Sequence, residues 1–251
     1  MNYSETQNKI QNAQHLDFGR ILDSSINMFK EVWLKGFLVV LMLVVVTLVL
    51  TFFFVSIGLG PSPSEFNWNE GVQFNTSYSS DFSLLYSLPQ GILVSSISIG
   101  LFAGFYRMVK QVDLNEKQKD DYFFYFQGTY ISKLFMLGII YAIIATIAQM
   151  LFFIPYIYAF VPLMFFAIIF SNNPELTETE IVKLSFSIGT KKWLLSFGLI
   201  FITGILGMLG IIACGIGLLF TISIMYLPVY FVYRDVVGFE DDSEIMKIGT
   251  E

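Results

Sequence analysis

The chain has 251 residues, of which 55% are hydrophobic and only 14% charged, with a formal net charge of −6. Soluble domains carry roughly a quarter charged residues, so this composition excludes an ordinary water-soluble globule and makes lipid the better solvent. The acidic balance, without a basic patch mixed with aromatics, excludes a nucleic-acid surface. One cysteine, Cys214, and one histidine, His15, exclude a disulfide framework and a cysteine- or histidine-built metal site.

The first thirty residues hold no long apolar core followed by a small-residue cleavage site, so no cleaved signal peptide is expected. Asp17–Trp33 then places Phe18, Ile21, Leu22, Ile26, Phe29 and Trp33 at helical spacing, which predicts an amphipathic helix. Four stretches follow without Asp, Glu, Lys, Arg or His: Gly36–Ser64, Phe82–Tyr106, Leu134–Ser171 and Leu194–Tyr233. A crossing helix needs about 20 apolar residues, so the first two fit one crossing each. The last two are too long for one helix, and Pro155 and Gly215-Ile216-Gly217 break them near their middles. The expected fold is an all-α integral membrane protein with six transmembrane helices in three hairpins.

With six crossings, segments 1–35, 107–133, 172–193 and 234–251 share one side and hold all 14 Lys and Arg. The loop around Pro61–Asp81 on the other side carries Glu65, Glu70 and Asp81 and no base. The positive-inside rule then puts both termini in the cytoplasm.

Each hairpin follows an amphipathic segment. Asn173-Pro174 offers a helix start with proline at the first position, and Thr177 with Glu180 offers a capping box. Ile181, Leu184, Ile188 and Trp193 follow on one face. At an offset of 160, Ile21 aligns with Ile181, Ser25 with Ser185, Trp33 with Trp193 and Phe37 with Phe197. The exits Tyr106-Arg107 and Tyr233-Arg234 also match. Between them, Asp121 and the aromatics from Tyr122 to Tyr130 have the same polar start and apolar face. Three units are expected in one membrane domain, 17–106, 120–171 and 173–235, with an acidic tail at 236–251. Trp33 and Trp193 are the expected interface anchors.

The spans carry no Asp, Glu, Lys, Arg or His, which argues against a proton-coupled pump. Gln90 should meet water near the outer end of its helix. Gln149 lies deeper and either bonds a neighbouring helix or meets a ligand headgroup. Ser96, Gly100 and Gly104, and Gly204, Gly207 and Gly210, form small-residue stripes for helix packing. Pro155, Pro162 and Pro228 each remove a backbone donor, and the carbonyls they free need partners. With Gln149, Tyr156, Tyr158, Tyr226 and Tyr230 they mark a candidate cavity between the fourth and sixth crossings. Asp120-Asp121 and Asp241-Asp242 are solvated charge. No catalytic, cofactor-binding or metal-binding residues are expected, and no cofactor.

Phe18-Gly19-Arg20-Ile21-Leu22, Leu184-Ser185-Phe186-Ser187 with Lys192-Trp193, Gly215-Ile216-Gly217-Leu218 and Tyr233-Arg234-Asp235 resemble the glycerophosphoryl diester phosphodiesterase membrane-domain family and its small bacterial relatives. The resemblance implies a six-helix plan in a bacterial cytoplasmic (inner) membrane. In proteins named for that enzyme a separate soluble domain performs hydrolysis, and this chain lacks its histidines and metal-binding acids, so no activity transfers. The expected function is a non-enzymatic integral membrane module, such as an accessory subunit of a membrane complex, that binds protein partners (a membrane protein or its own copy) or organises membrane lipids. The alternative is a carrier or scramblase-like path for a lipid or other apolar solute.

Overall fold

The computed structural model describes residues 2–57, 88–116, 118–151, 153–212, 215 and 217–239. The loop with Glu65, Glu70 and Asp81, together with Lys117, Cys214, Ile216 and the acidic tail from Glu240, lies outside the described residues. The described chain is all helical. Its α-helices are α1 (Tyr3–Gln11), α2 (Phe18–Ser56), α3 (Leu88–Asp113), α4 (Tyr130–Met150), α5 (Phe153–Met164), α6 (Phe166–Asn172), α7 (Glu178–Lys191), α8 (Trp193–Met208), α9 (Gly217–Thr221) and α10 (Leu227–Val236). Three 3₁₀ turns fall at Phe124–Phe126, Leu209–Ile212 and Ile222–Tyr226.

Six helical segments are long and apolar enough to cross a membrane: Phe18–Ser56, Leu88–Asp113, Tyr130–Met150, Ile154–Asn172, Trp193–Ile212 and Gly217–Val236. Phe52 and Ile154 are each 79% exposed and Ile212 is 84% exposed, as side chains facing lipid would be. The core gathers where spans two, four and six meet, around Phe105, Phe165, Phe166, Phe170, Tyr230 and Tyr233, all of them buried.

The leading segments differ from expectation in two ways. The stretch from Asp17 to Trp33 is no separate helix. It is the first half of α2, a continuous 39-residue helix that reaches about 58 Å at the usual rise, nearly twice the ~30 Å of hydrocarbon. Asp17 caps it, accepting from the Arg20 N–H at 2.6 Å. The aromatic stretch before span three makes only one 3₁₀ turn. Gly128 at φ +49° follows it, and Tyr125 packs inward, 2% exposed and donating to the Ser171 carbonyl at 2.7 Å, while Phe123 is 55% exposed. Before span five, α7 does form. Its N-cap is Thr177, with the full capping box. Asn173 instead closes α6, because its buried amide donates to the Ile169 carbonyl and to the Tyr233 hydroxyl.

Several positions paired at offset 160 are buried alike. Ile21 and Ile181 are buried, and Ser25 and Ser185 are both fully buried. Each of these serines donates to the carbonyl four residues back, Ile21 or Ile181, at 2.8 Å. Val39 and Leu199, deeper in the two spans, are also both fully buried.

Candidate functional site: a polar cavity among spans two, three and four

Helix crossings place the site. On α3, the Ser96 hydroxyl turns back to the Ile92 carbonyl at 2.7 Å. A Cβ on Gly138 of α4 would sit 2.8 Å from the Ser96 Cα, so the two backbones touch there. Further along α3, a Cβ on Gly100 would meet the Phe126 ring at 2.6 Å, and one on Gly104 would meet the Tyr122 carbonyl oxygen at 2.8 Å. The stripe therefore packs one helix and one loop. Gly207 and Gly210 lie against the start of span six, where an added Cβ would sit 3.2 Å from the Ile222 Cα and 2.5 Å from the Gly217 carbonyl, whereas one on Gly204 would meet only the Met225 side chain. Gly138 escaped notice because it is the one glycine of its helix, without the repeated glycines that marked the other two stripes.

Below the tight α3–α4 crossing the helices spread and meet α5 around a cavity of about 250 Å³. Ser95 lines it from α3, Tyr141, Thr146 and Gln149 from α4, and Tyr156 and Phe160 from α5. Gln149 and Tyr156 line the same cavity, which spans two, three and four enclose rather than spans four and six. The remaining residues expected there have other places. The Tyr158 hydroxyl is 2.7 Å from the Thr190 hydroxyl. Pro162 is buried against Gly189, whose Cβ would lie 2.6 Å from the Pro162 Cα. Pro155 lies in the first turn of α5, outside the cavity lining. Pro228 sits in the first turn of α10, where a missing N–H costs nothing. The Tyr226 ring packs on Phe102 with centroids 4.0 Å apart. Tyr230 is fully buried and donates to Asp113 at 2.8 Å. Gln90 does not simply face water, since its amide donates to the Thr51 hydroxyl at 2.7 Å and ties α3 to α2.

The proline inside span four gives Trp193 a partner. Pro162 cannot bond the carbonyl four residues back, Tyr158, and in an apolar setting an orphaned carbonyl is costly. The Trp193 indole N–H supplies the missing donor at 3.1 Å. Trp33, its counterpart by offset, is 42% exposed and lies beside Phe220.

Ion pairs collect where the ends of spans two and six meet the start of span one. Arg234 donates to both Asp113 oxygens at 3.0 and 2.9 Å, and Asp235 accepts from Arg20 at 2.7 Å. These bonds join the end of span two, the end of span six and the start of span one. Lys35 pairs with Asp120. Lys133 reaches the carbonyls of Pro174 and Leu176 at 2.5 and 2.7 Å. Helix α1 docks on α7, where Gln7 donates to Ser187 at 3.2 Å. Lys191 and Lys192 grip the carbonyls of Gln11, Ala13 and Gln14. Burial, and then the neighbouring Lys191, hold the Lys192 ammonium below its usual range. Among the described residues, no three His, Cys, Asp or Glu side chains gather as a metal site.

The chain matches no protein-family model, and no curated protein or solved structure is significantly similar to it.

Proposed function

We propose that the chain is a non-enzymatic module of a bacterial cytoplasmic membrane, with both termini and the charged end of the bundle in the cytoplasm. Its work is association: it binds another membrane protein, or a second copy of itself, along the first span and organises the lipid around it. The observation that carries this reading is the uneven burial of the spans. The most apolar window of span one is 17% buried, against 56% for spans two and four. Val45, Leu48, Val49 and Phe52 stand exposed along it. Where lipid tails are as apolar as side chains, such a face gains by close packing against another helix. The non-enzymatic reading is supported by the engagement of the acids and bases with one another, as in Tyr230–Asp113–Arg234 and Asp235–Arg20. The resemblance to the phosphodiesterase membrane-domain family belongs to this reading through its six-helix plan alone.

A photo-crosslinking residue at Leu48 or Phe52, activated in cells, tests it. The expected product is one discrete protein adduct that the same residue at Ile154 does not give. Lipid adducts alone, or the same adducts from all three positions, contradict it. The second reading, a carrier or scramblase-like path, draws on the interrupted helices of spans four and six, broken at Phe165 and across Ile222–Tyr226.

A further inference from the structure

The cavity among α3, α4 and α5 has a chemistry that the association reading does not use. Ser95, Tyr141, Thr146, Gln149 and Tyr156 give it five hydrogen-bonding side chains, and no lining residue carries a formal charge. From Tyr141 to Gln149 it runs two turns along α4, about 12 Å at helical rise. The cavity reaches the helix ends, since Leu88 begins α3 and Gln149 is one residue from the end of α4. Polar groups in such apolar surroundings need hydrogen-bonding partners, and a space of about 250 Å³ has room for roughly eight waters at ~30 Å³ each. It is smaller than the ~300–1,000 Å³ of whole-ligand pockets, so it suits a head rather than an entire lipid. A phosphate there would be a buried charge without a counter-ion. Around it, Ile143, Ile147 and Met150 of α4 and Ile154 are exposed and apolar, so the neighbouring surface belongs to acyl chains.

We propose that this cavity binds the uncharged, hydroxyl-bearing head of a neutral lipid, with Thr146, Gln149 and Tyr156 as its hydrogen-bonding partners. A free polyol shares the head chemistry, and the test separates the two sources. The site stands independently of any partner on span one.

The full chain in phosphatidylcholine nanodiscs is photolabelled with a diazirine-bearing diacylglycerol and then digested for mass spectrometry. Label is expected on peptides containing Thr146–Gln149 and Tyr156, well above that on Leu48–Phe52 of α2. Excess dioleoylglycerol should remove it, and dioleoylphosphatidylglycerol should not. Removal by glycerol alone supports the head chemistry and assigns the site to a free polyol. Ala145→Phe fills the cavity and should abolish the local label. Gln149→Leu, at an exposed position where leucine suits lipid, should reduce it about tenfold, the equivalent of one lost hydrogen bond, with thermal stability unchanged. This second variant keeps the test alive if Ala145→Phe fails to fold. Even labelling of all lipid-facing helices, equal competition by the anionic lipid, or labelling that survives in a folded variant overturns the proposal.

Discussion

The helices leading into spans one and five begin alike and then diverge. Both start on a side-chain cap, Asp17 or Thr177. Both bury an isoleucine, and both turn a buried serine back onto that isoleucine's carbonyl. Three residues later Met28 and Ile188 are again both buried. At the next position α2 has Phe29 and α7 has Gly189, and from there the paths part. Gly189 admits the Pro162 backbone of span four, and α7 ends at Lys191, with Lys192 at φ −110° joining it to α8. Helix α2 has no such neighbour and runs on unbroken into the membrane. Gly189 leaves room for the span-four backbone at a position where α2 carries Phe29, a ring packed against the core. The bent version also carries extra duties, because Lys192 then faces the 13–14 carbonyls and Trp193 faces the carbonyl that Pro162 frees.

The widest contrast should appear at the hairpin exits. Arg234→Gln leaves Asp113, only 14% exposed at its side chain, without its main partner, and should cost about 3 kcal/mol. The matching Arg107→Gln removes a guanidinium lying 4.0 Å over Phe124 and should cost about 0.5–1 kcal/mol. Thermal unfolding in detergent, followed by fluorescence-detected size exclusion, ranks the pair, and equal losses would erase the distinction. Next comes Gly189→Ala, which forces a Cβ against the Pro162 backbone and should cost about 2 kcal/mol. The reciprocal Phe29→Gly should cost about 1 kcal/mol.

The tryptophans sharpen the comparison further. Trp193→Phe should destabilise by about 1–2 kcal/mol by orphaning the Tyr158 carbonyl, and Trp33→Phe by no more than about 0.5 kcal/mol. In a Pro162→Ala background the restored N–H should make Trp193→Phe nearly neutral. A double-mutant cycle with no coupling would remove the explanation.

The smallest effects lie at the caps. Thr177→Ala and Asp17→Ala should each cost about 1 kcal/mol. The Thr177 N–H, and then its hydroxyl, hold the Glu180 carboxyl below its ordinary range. A depressed carboxyl contributes stability that is complete above its unfolded pKa and is lost as pH falls through the folded value. Thermal scans should therefore show the capping increment of Thr177 shrinking on the acid side of that window. An increment independent of pH would contradict the bond.

What the sequence made legible was whatever local chemistry or solvent decides. Six spans followed from uncharged runs that only hydrocarbon tolerates, and the Thr177–Glu180 box from a four-residue pattern. The cavity was half legible. Gln149 and Tyr156 stood out as polar groups in apolar surroundings, but which helices enclose them depends on the Ser96–Gly138 approach, a contact between helices 42 residues apart. The aromatic stretch before span three misled because apolar spacing alone cannot foresee that Tyr125 packs inward while Phe123 stays exposed. The uninterrupted course of α2 was hidden because nothing in its sequence marks a stop between the amphipathic and apolar halves.

Everything rests on which side of a bilayer the charged end occupies. In a Cys214→Ser background, a cysteine at Ser79 and one at exposed Lys183 are offered a membrane-impermeant maleimide in intact cells. The account predicts that the first is labelled at once and the second only after lysis. Labelling at Lys183 from outside, or of both positions together, contradicts it.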